Sequence, residues 1–197
     1  MVSKCYLFFL FDGDGEGDGG IKAGSIWGIA LIKLIGSIPP IVYLETTIPS
    51  YLTAWQSRDV VRAGEQQVTR DWWERRTQFE LRVSSLVFLE CGAGNSDAAA
   101  LRLAVLDGVP VLAQTLEAET LADILLREVP LPAKAAADAL HIAIAAVHGV
   151  EFLLTWNCTH IANATLRPRI ESICRRLGYE PPVICTPLEL LESGDGS

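Results

Sequence analysis

The chain has 197 residues, of which 50% are hydrophobic and 20% are charged. This length suits one domain with a single core and a short additional segment, and the composition excludes an intrinsically disordered chain. The formal net charge of −8 argues against adhesion to nucleic acid or to an anionic membrane through overall charge. Arginines are concentrated in residues 58–82 and 167–176, so local basic faces remain open, although solvated helix faces explain such clusters more often.

The cysteines are five in number and scattered, at Cys5, Cys91, Cys158, Cys174 and Cys185. None of them forms a C-x-x-C pair, which excludes a zinc knuckle, and their odd number argues against a disulfide framework. This usage predicts a protein of the reducing cytoplasm.

Residues 1–39 differ in composition from the remainder and are predicted to be a flexible appendage outside the folded domain. An apolar run meets an acidic glycine tract at residues 12–20, which lacks the cleavage site of a signal peptide. The tract also fails as a calcium loop, because Ala23 stands where a bidentate Glu is needed. Lys22 and Lys33 interrupt the following apolar stretch, so no membrane span is predicted. Residues 193–197 are predicted to be a disordered tail.

In the first half of the domain, apolar runs and turn residues predict strands that alternate with helices. Residues 41–44 form the first predicted strand, which ends at Glu45, and residues 79–83 form the second. The Pro-containing run 109–112 is predicted to be an edge strand. The predicted helices of this half cover residues 49–55, 58–78, a segment capped by Ser84 or Ser85, and residues 97–106.

The second half continues the alternation. Residues 152–156 are apolar throughout, as in a central parallel strand, and end at Asn157. Residues 183–185 form the last predicted strand, and a capping box at residues 186–189 begins the last helix. The other predicted helices cover residues 117–128, 133–148 and 162–177. The alternation predicts an α/β fold, a three-layer α/β/α sandwich with a mainly parallel central sheet, over residues 40–192.

Three acidic residues are the candidates for chemistry. Glu45 lies where the crevice of a parallel sheet is expected, and Glu90 shares a helix face with a core leucine, where an unpaired charge is costly. Asp138 borders the apolar stripe of its helix. Carboxylates that converge repel one another, and Mg²⁺ or Mn²⁺ relieves that repulsion. Taken singly, each residue is more often a capping, ion-paired or solvated side chain, so spacing alone leaves that alternative open.

Four segments, taken together and in order, resemble the signature segments of PIN-domain proteins, the family of the VapC-like ribonucleases of type II toxin–antitoxin pairs. The segments are residues 42–48, 84–90, 137–143 and 154–157. The resemblance covers about residues 41–191 and implies a PIN-like fold. It further implies hydrolysis of RNA phosphodiester bonds, a cognate antitoxin partner and, commonly, a homodimer.

The resemblance implies metal ligands and catalytic residues at four positions, one in each matching segment. Glu45, Glu90 and Asp138 would hold Mg²⁺ or Mn²⁺, and Asn157 would complete the catalytic set. Thr46 would position a ligand or water. Two positions depart from the pattern, because Glu45 stands where Asp is usual and Asn157 replaces a common Asp with a neutral oxygen. One fewer charge favours one firmly held ion over two.

Two histidines lie close to these positions in the sequence. His160 follows Asn157 closely and is a candidate for positioning water or substrate, with a helix-capping role as the more frequent alternative. His141 lies three residues after Asp138 and either pairs with that carboxylate or fills a polar niche, of which the niche is favoured.

Two alternatives to the ribonuclease remain. The first is a PIN-fold module whose catalysis is weakened by Glu45 and Asn157 and which binds RNA or an antitoxin partner. The second is another metal-dependent phosphohydrolase, since a fold does not fix a substrate. No zinc-protease, P-loop or serine-hydrolase motif appears in the sequence.

Overall fold

The computed structural model describes residues 39–192. The predictions for residues 1–38 and for the tail 193–197 lie outside the described residues. Within residues 39–192, no helix is long and apolar enough to cross a lipid bilayer.

The described residues build a five-stranded parallel sheet, which confirms the predicted α/β fold. The strands are β1 (Ile41–Leu44), β2 (Glu80–Ser84), β3 (Val111–Leu112), β4 (Phe152–Leu154) and β5 (Val183–Cys185). Their order in the sheet is β3-β2-β1-β4-β5, so β3 is an edge strand as predicted. The chain leaves β1 towards β2 on one side and returns to β4 on the other, which makes the gap beyond β1 and β4 a topological switch point.

Helices cover the sheet in two layers. They are α1 (Thr47–Thr53), α2 (Val60–Glu74), α3 (Ser85–Cys91), α4 (Ser96–Val105), α5 (Leu116–Glu128), α6 (Ala136–Val147), α7 (Arg167–Arg176) and α8 (Pro187–Glu192). Helix α1 packs against α2 and α4, and α8 packs against α2, whereas α5 packs against α6 and α7. This division follows from right-handed crossovers, because the chain crosses the sheet in opposite directions before and after β3.

Side-chain caps set several of the helix boundaries. The carboxylate of Asp59 accepts a hydrogen bond from the backbone N–H of Arg62 and begins α2. Ser84 accepts from the backbone N–H of Val87 and begins α3, one of the two predicted alternatives. At α8 the carboxylate of Glu189 returns to the backbone N–H of Thr186, as in the predicted capping box.

Several helices begin at residues other than the predicted ones, and two of these differences, at α1 and α7, have a local cause. Helix α1 begins at Thr47 and not at Pro49, because a proline is tolerated within a first turn whose N–H groups have no helical partners. Helix α7 begins at Arg167 and not at residue 162. The side chain of Asn163 accepts from the N–H and the hydroxyl of Thr165, and this local turn competes with the helix.

Strand β4 is shorter than the predicted run of residues 152–156. The backbone N–H of Trp156 donates to Oγ1 of Thr47 at 2.8 Å, so the chain turns out of the ladder after Leu154. Strand β1 lies at the centre of the sheet, and Val42, Tyr43 and Leu44 are fully buried. The carboxyl ends of these two buried strands therefore carry polar side chains on a rigid base.

Candidate metal centre

The candidate site lies at the switch point, where four elements end or begin. Glu45 follows β1 directly, and Thr155 to Asn157 follow β4. Glu90 lies near the end of α3, and Asp138 lies in the first turn of α6. These positions are the crevice in which open parallel sheets bind their ligands.

Glu45 is a buried carboxylate with one oxygen fully engaged. Its Oε2 accepts from the N–H of Thr47 at 3.0 Å, from the hydroxyl of Thr47 at 2.5 Å and from the hydroxyl of Thr155 at 2.7 Å. Both hydroxyls also accept backbone N–H groups, from Trp156 and Asn157, so their protons are directed at Glu45. Its Oε1 accepts no hydrogen bond from the described residues.

Glu90 receives two side-chain donors. Oγ1 of Thr46 donates to Oε2 of Glu90, and Nε2 of His141 lies 3.0 Å from the same oxygen. Burial alone would raise the pKa of Glu90, but the hydrogen bonds from His141 and Thr46 outweigh it, so the pKa lies below its usual value. Glu90 is therefore ionised at neutral pH and acts only as an acceptor.

A chain of buried hydrogen bonds continues behind His141. The hydroxyl of Tyr43 lies 2.8 Å from Nδ1 of His141 and 2.7 Å from Oγ of Ser84. Because Glu90 only accepts, a neutral His141 carries its proton on Nε2 and accepts at Nδ1 from Tyr43. Burial raises the pKa of Tyr43 far above its ordinary value, so the phenol keeps its proton for this bond. Ser84 accepts from Val87 and donates to Tyr43, which satisfies every group.

Glu45, Glu90 and His141 form the group with metal-ligand potential among residues 39–192. One ligand atom from each residue lies within 4.8 Å of the others. The donor set of two carboxylates and one imidazole fits a divalent cation, since hard ions take carboxylate oxygens and many divalent metals take imidazole.

Asp138 lies in a second polar group, with Asn157 and His160. Oδ1 of Asp138 accepts from Nδ2 of Asn157 at 2.8 Å, and Oδ2 lies 2.7 Å from Nδ1 of His160. Oδ1 of Asn157 accepts the backbone N–H of His160 at 3.1 Å, which fixes the orientation of the amide. Thr155 joins the two groups, because its Oγ1 donates to Glu45 and accepts the N–H of Asn157.

The predicted site residues thus all lie at the carboxyl edge of the sheet, in these two hydrogen-bonded groups. The assignment of Asp138 as a third metal ligand stays a prediction, since the tight group contains His141 instead. His141 does fill a polar niche, with Tyr43 and Glu90 as partners, and makes no hydrogen bond to Asp138. Its spacing from Asp138 gave no signal of this role, because the partner lies on another helix.

No protein-family model matches the chain, and no curated protein is significantly similar to it. Solved structures resemble it. VapBC2 from Rickettsia felis, bound to a DNA fragment from its promoter, aligns with a TM-score of 0.49 and 14% identity over 74% of this chain and 98% of that chain. VapC20 from Mycobacterium tuberculosis, a toxin that cleaves the sarcin-ricin loop, aligns with a TM-score of 0.49 and 16% identity over 62% and 95%. Identities this low carry no information on activity.

Proposed function

We propose that the chain is a cytoplasmic, divalent-metal-dependent endoribonuclease of the PIN-domain, VapC-like type, and the toxin of a toxin–antitoxin pair. One observation carries the proposal. Glu45 and Glu90 follow two neighbouring strands of the sheet, and with His141 their ligand atoms lie within 4.8 Å of one another at the switch point.

The cation is proposed because the arrangement gathers three carboxylates whose only basic partners in the described residues are histidines, His141 for Glu90 and His160 for Asp138. Glu45 is buried, and its described donors are neutral hydroxyls and one backbone N–H. Glu90 is hydrogen-bonded to His141 and to the hydroxyl of Thr46. No Lys or Arg forms an ion pair with Glu45, Glu90 or Asp138 in the described residues. A divalent ion compensates such buried charge and binds the oxygens that the donors leave free.

Glu45 and Glu90 are the proposed ligands from the sheet side, and Asp138 is the proposed ligand from α6. Asn157 and His160 hold both oxygens of Asp138, and a carboxylate still has lone pairs left for a metal ion after such bonds. Thr46 orients Glu90. Nε2 of His160, which has no hydrogen-bond partner within residues 39–192, is the proposed contact for water or for the substrate phosphate. Bound Mg²⁺ or Mn²⁺ supplies acidification of the attacking water and stabilisation of charge on the phosphate.

The partners follow from the ordered sequence segments. RNA is the proposed substrate, an antitoxin protein the proposed inhibitor, and a homodimer the proposed assembly. The cytoplasm is the proposed location because three described cysteines are buried free thiols.

The test is cleavage of a structured RNA by the purified full-length protein with Mn²⁺ or Mg²⁺, compared with the Asp138→Asn variant. The substitution keeps the size of the side chain at position 138. The His160 ring can change tautomer and accept a hydrogen bond from the new amide, so the fold should persist. We expect cleavage by the wild type, loss of cleavage in the variant, and loss in both when EDTA is added. Cleavage that survives Asp138→Asn would refute the assignment of the pocket.

A second function, a binding module without catalysis, is favoured by one observation. Both oxygens of Asp138 are already engaged by Asn157 and His160, so this part of the site is satisfied without a metal ion. Calorimetric titration with Mn²⁺ separates the two functions. Absence of binding that depends on Glu45 would favour the module.

A further inference from the structure

We propose that Nε2 of His141 is a ligand of the metal ion, together with Glu45 and Glu90, and that this nitrogen makes the centre favour transition-metal ions over Mg²⁺. The inference rests on the metal site of the proposed function and assigns to it a ligand that the sequence did not indicate.

The separation of the donor atoms supports the assignment. Nε2 of His141 and Oε2 of Glu90 are 3.0 Å apart. Two neighbouring ligands of an octahedral ion with bonds of about 2.1 Å are themselves about 3.0 Å apart, because they subtend a right angle at the ion. The spacing therefore already suits two neighbouring ligands, and sharing an ion requires the Glu90 carboxylate to turn so that the ion, in place of Oε2, lies on the lone-pair axis of Nε2.

The ring of His141 is held as the rings of metal-bound histidines usually are. Such rings bond through their second nitrogen to a buried partner that fixes orientation and tautomer. Nδ1 of His141 lies 2.8 Å from the hydroxyl of Tyr43, and both side chains are at most 1% exposed. Tyr43 belongs to the central strand β1, so its phenol is a rigid support.

The hydrogen-bond chain can operate in two directions. Without a metal ion, Tyr43 donates to Nδ1, and the Nε2–H of His141 donates to Glu90. With Nε2 on a metal ion, the imidazole proton lies on Nδ1 and is donated to Tyr43, whose own proton turns to Ser84 at 2.7 Å. In this exchange the imidazole proton moves from Nε2 to Nδ1, and the hydrogen-bonded side chains keep the same number of protons. A side chain at position 43 that could only accept or only donate would not permit this change of hydrogen-bond direction.

The donor set determines which ion is preferred. Mg²⁺ binds oxygen ligands and retains its water, whereas imidazole is a good ligand for transition-metal ions. One nitrogen beside two carboxylates therefore raises the affinity in the order Mg²⁺, Mn²⁺, Co²⁺. Replacing His141 with Gln, which offers an oxygen, should reduce this discrimination.

The test is pulsed electron paramagnetic resonance of the full-length protein with one equivalent of Mn²⁺. The measured quantity is the modulation of the electron spin echo by nitrogen-14, which reports a nitrogen atom bound to the ion. We expect modulation from a directly bound imidazole in the wild type and its loss in His141→Gln. His148→Gln, which changes a histidine outside the site, is the matched control and should keep the signal. Tyr43→Phe should also keep the signal while weakening Mn²⁺ binding about 10- to 100-fold, as loss of an outer-shell partner does.

The outcomes separate failure of this inference from failure of the proposed function. Mn²⁺ that binds through Glu45 but shows no nitrogen modulation, or modulation that persists in His141→Gln, would overturn the histidine ligand and leave the carboxylate centre intact. No binding of Mn²⁺ at millimolar concentration would overturn both. Circular dichroism of each variant verifies that the fold is retained.

Discussion

Nδ2 of Asn157 donates a hydrogen bond to Oδ1 of Asp138 at 2.8 Å, so the amide that follows β4 holds the carboxylate at the start of α6 in place. The amide uses both of its ends, because its oxygen accepts the backbone N–H of His160 at 3.1 Å. The amide nitrogen thus gives Asp138 a hydrogen bond at a position where an aspartate would repel it.

Asn157→Asp should therefore make the protein more dependent on metal. The change removes the donor to Asp138 and sets two carboxylates against each other, at a cost of about 1–3 kcal/mol when no ion is present. We expect a lower melting temperature in EDTA and a larger rise on adding Mn²⁺ than in the wild type. Thermal unfolding with and without Mn²⁺ measures both. Asn157→Ala, which removes the same donor without adding charge, should lower stability but show no enlarged Mn²⁺ effect.

Thr155→Val tests the hydroxyl that joins the two polar groups. The substitution keeps the shape of a fully buried side chain but removes a donor to Glu45 and the acceptor for the N–H of Asn157. Since hydrogen bonds to a charged group contribute about 1.5–3 kcal/mol, we expect a loss of free energy of unfolding in that range. Urea unfolding in EDTA is the measurement.

The matched control is Thr120→Val, because that hydroxyl bonds only within its own helix, to Leu116. It should cost within about 0.5 kcal/mol, as surface substitutions usually do. Equal effects at Thr155 and Thr120 would contradict the connecting role.

Glu90 should make stability depend on pH in the acid range. Burial raises the pKa of Glu90, but hydrogen bonds from His141 and Thr46 lower it overall, from an ordinary value of 4.5. The folded state then keeps the charge to lower pH than the unfolded state does. The resulting stabilisation is complete above pH 4.5 and is lost as the pH falls through the lower folded value.

The expected result is that wild-type stability falls more steeply as the pH drops below 4.5 than that of Glu90→Gln, measured by urea unfolding in EDTA. Glu74→Gln, at an exposed position of α2, leaves the bonds to Glu90 in place and should keep the wild-type slope. An unchanged slope in Glu90→Gln would show that the bonds from His141 and Thr46 do not favour the charged form.

The architecture was predictable because the signals that define it are local. Apolar runs at residues 41–44 and 183–185 coincide with β1 and β5, and the capping box at Thr186 marks the start of α8. The crevice was predictable as well, since Glu45 and Asn157 follow strands whose carboxyl ends must meet in a parallel sheet. The missed start of α7 reflects the side-chain turn at Asn163, which competes with the helix.

The pairing of side chains within the crevice was not predictable from spacing. His141 shares a helix face with Asp138, yet its ring points to Glu90 and Tyr43, which come from a helix and a strand distant in sequence. Spacing defines only which residues share a face, whereas the partner is chosen by packing between elements. The orientation of the Asn157 amide likewise depends on the turn that brings the N–H of His160 to its oxygen.

The most direct measurement is the single-turnover rate of RNA cleavage by the full-length protein as a function of Mn²⁺ concentration, for the wild type and for Glu45→Gln. Gln keeps an oxygen for the three donors that hold position 45 but removes the charge. The account predicts a wild-type rate that saturates at the concentration at which calorimetry shows Mn²⁺ to bind, and a rate at least about 100-fold lower in the variant. Cleavage that is independent of Mn²⁺, or that is equal in Glu45→Gln, would contradict it.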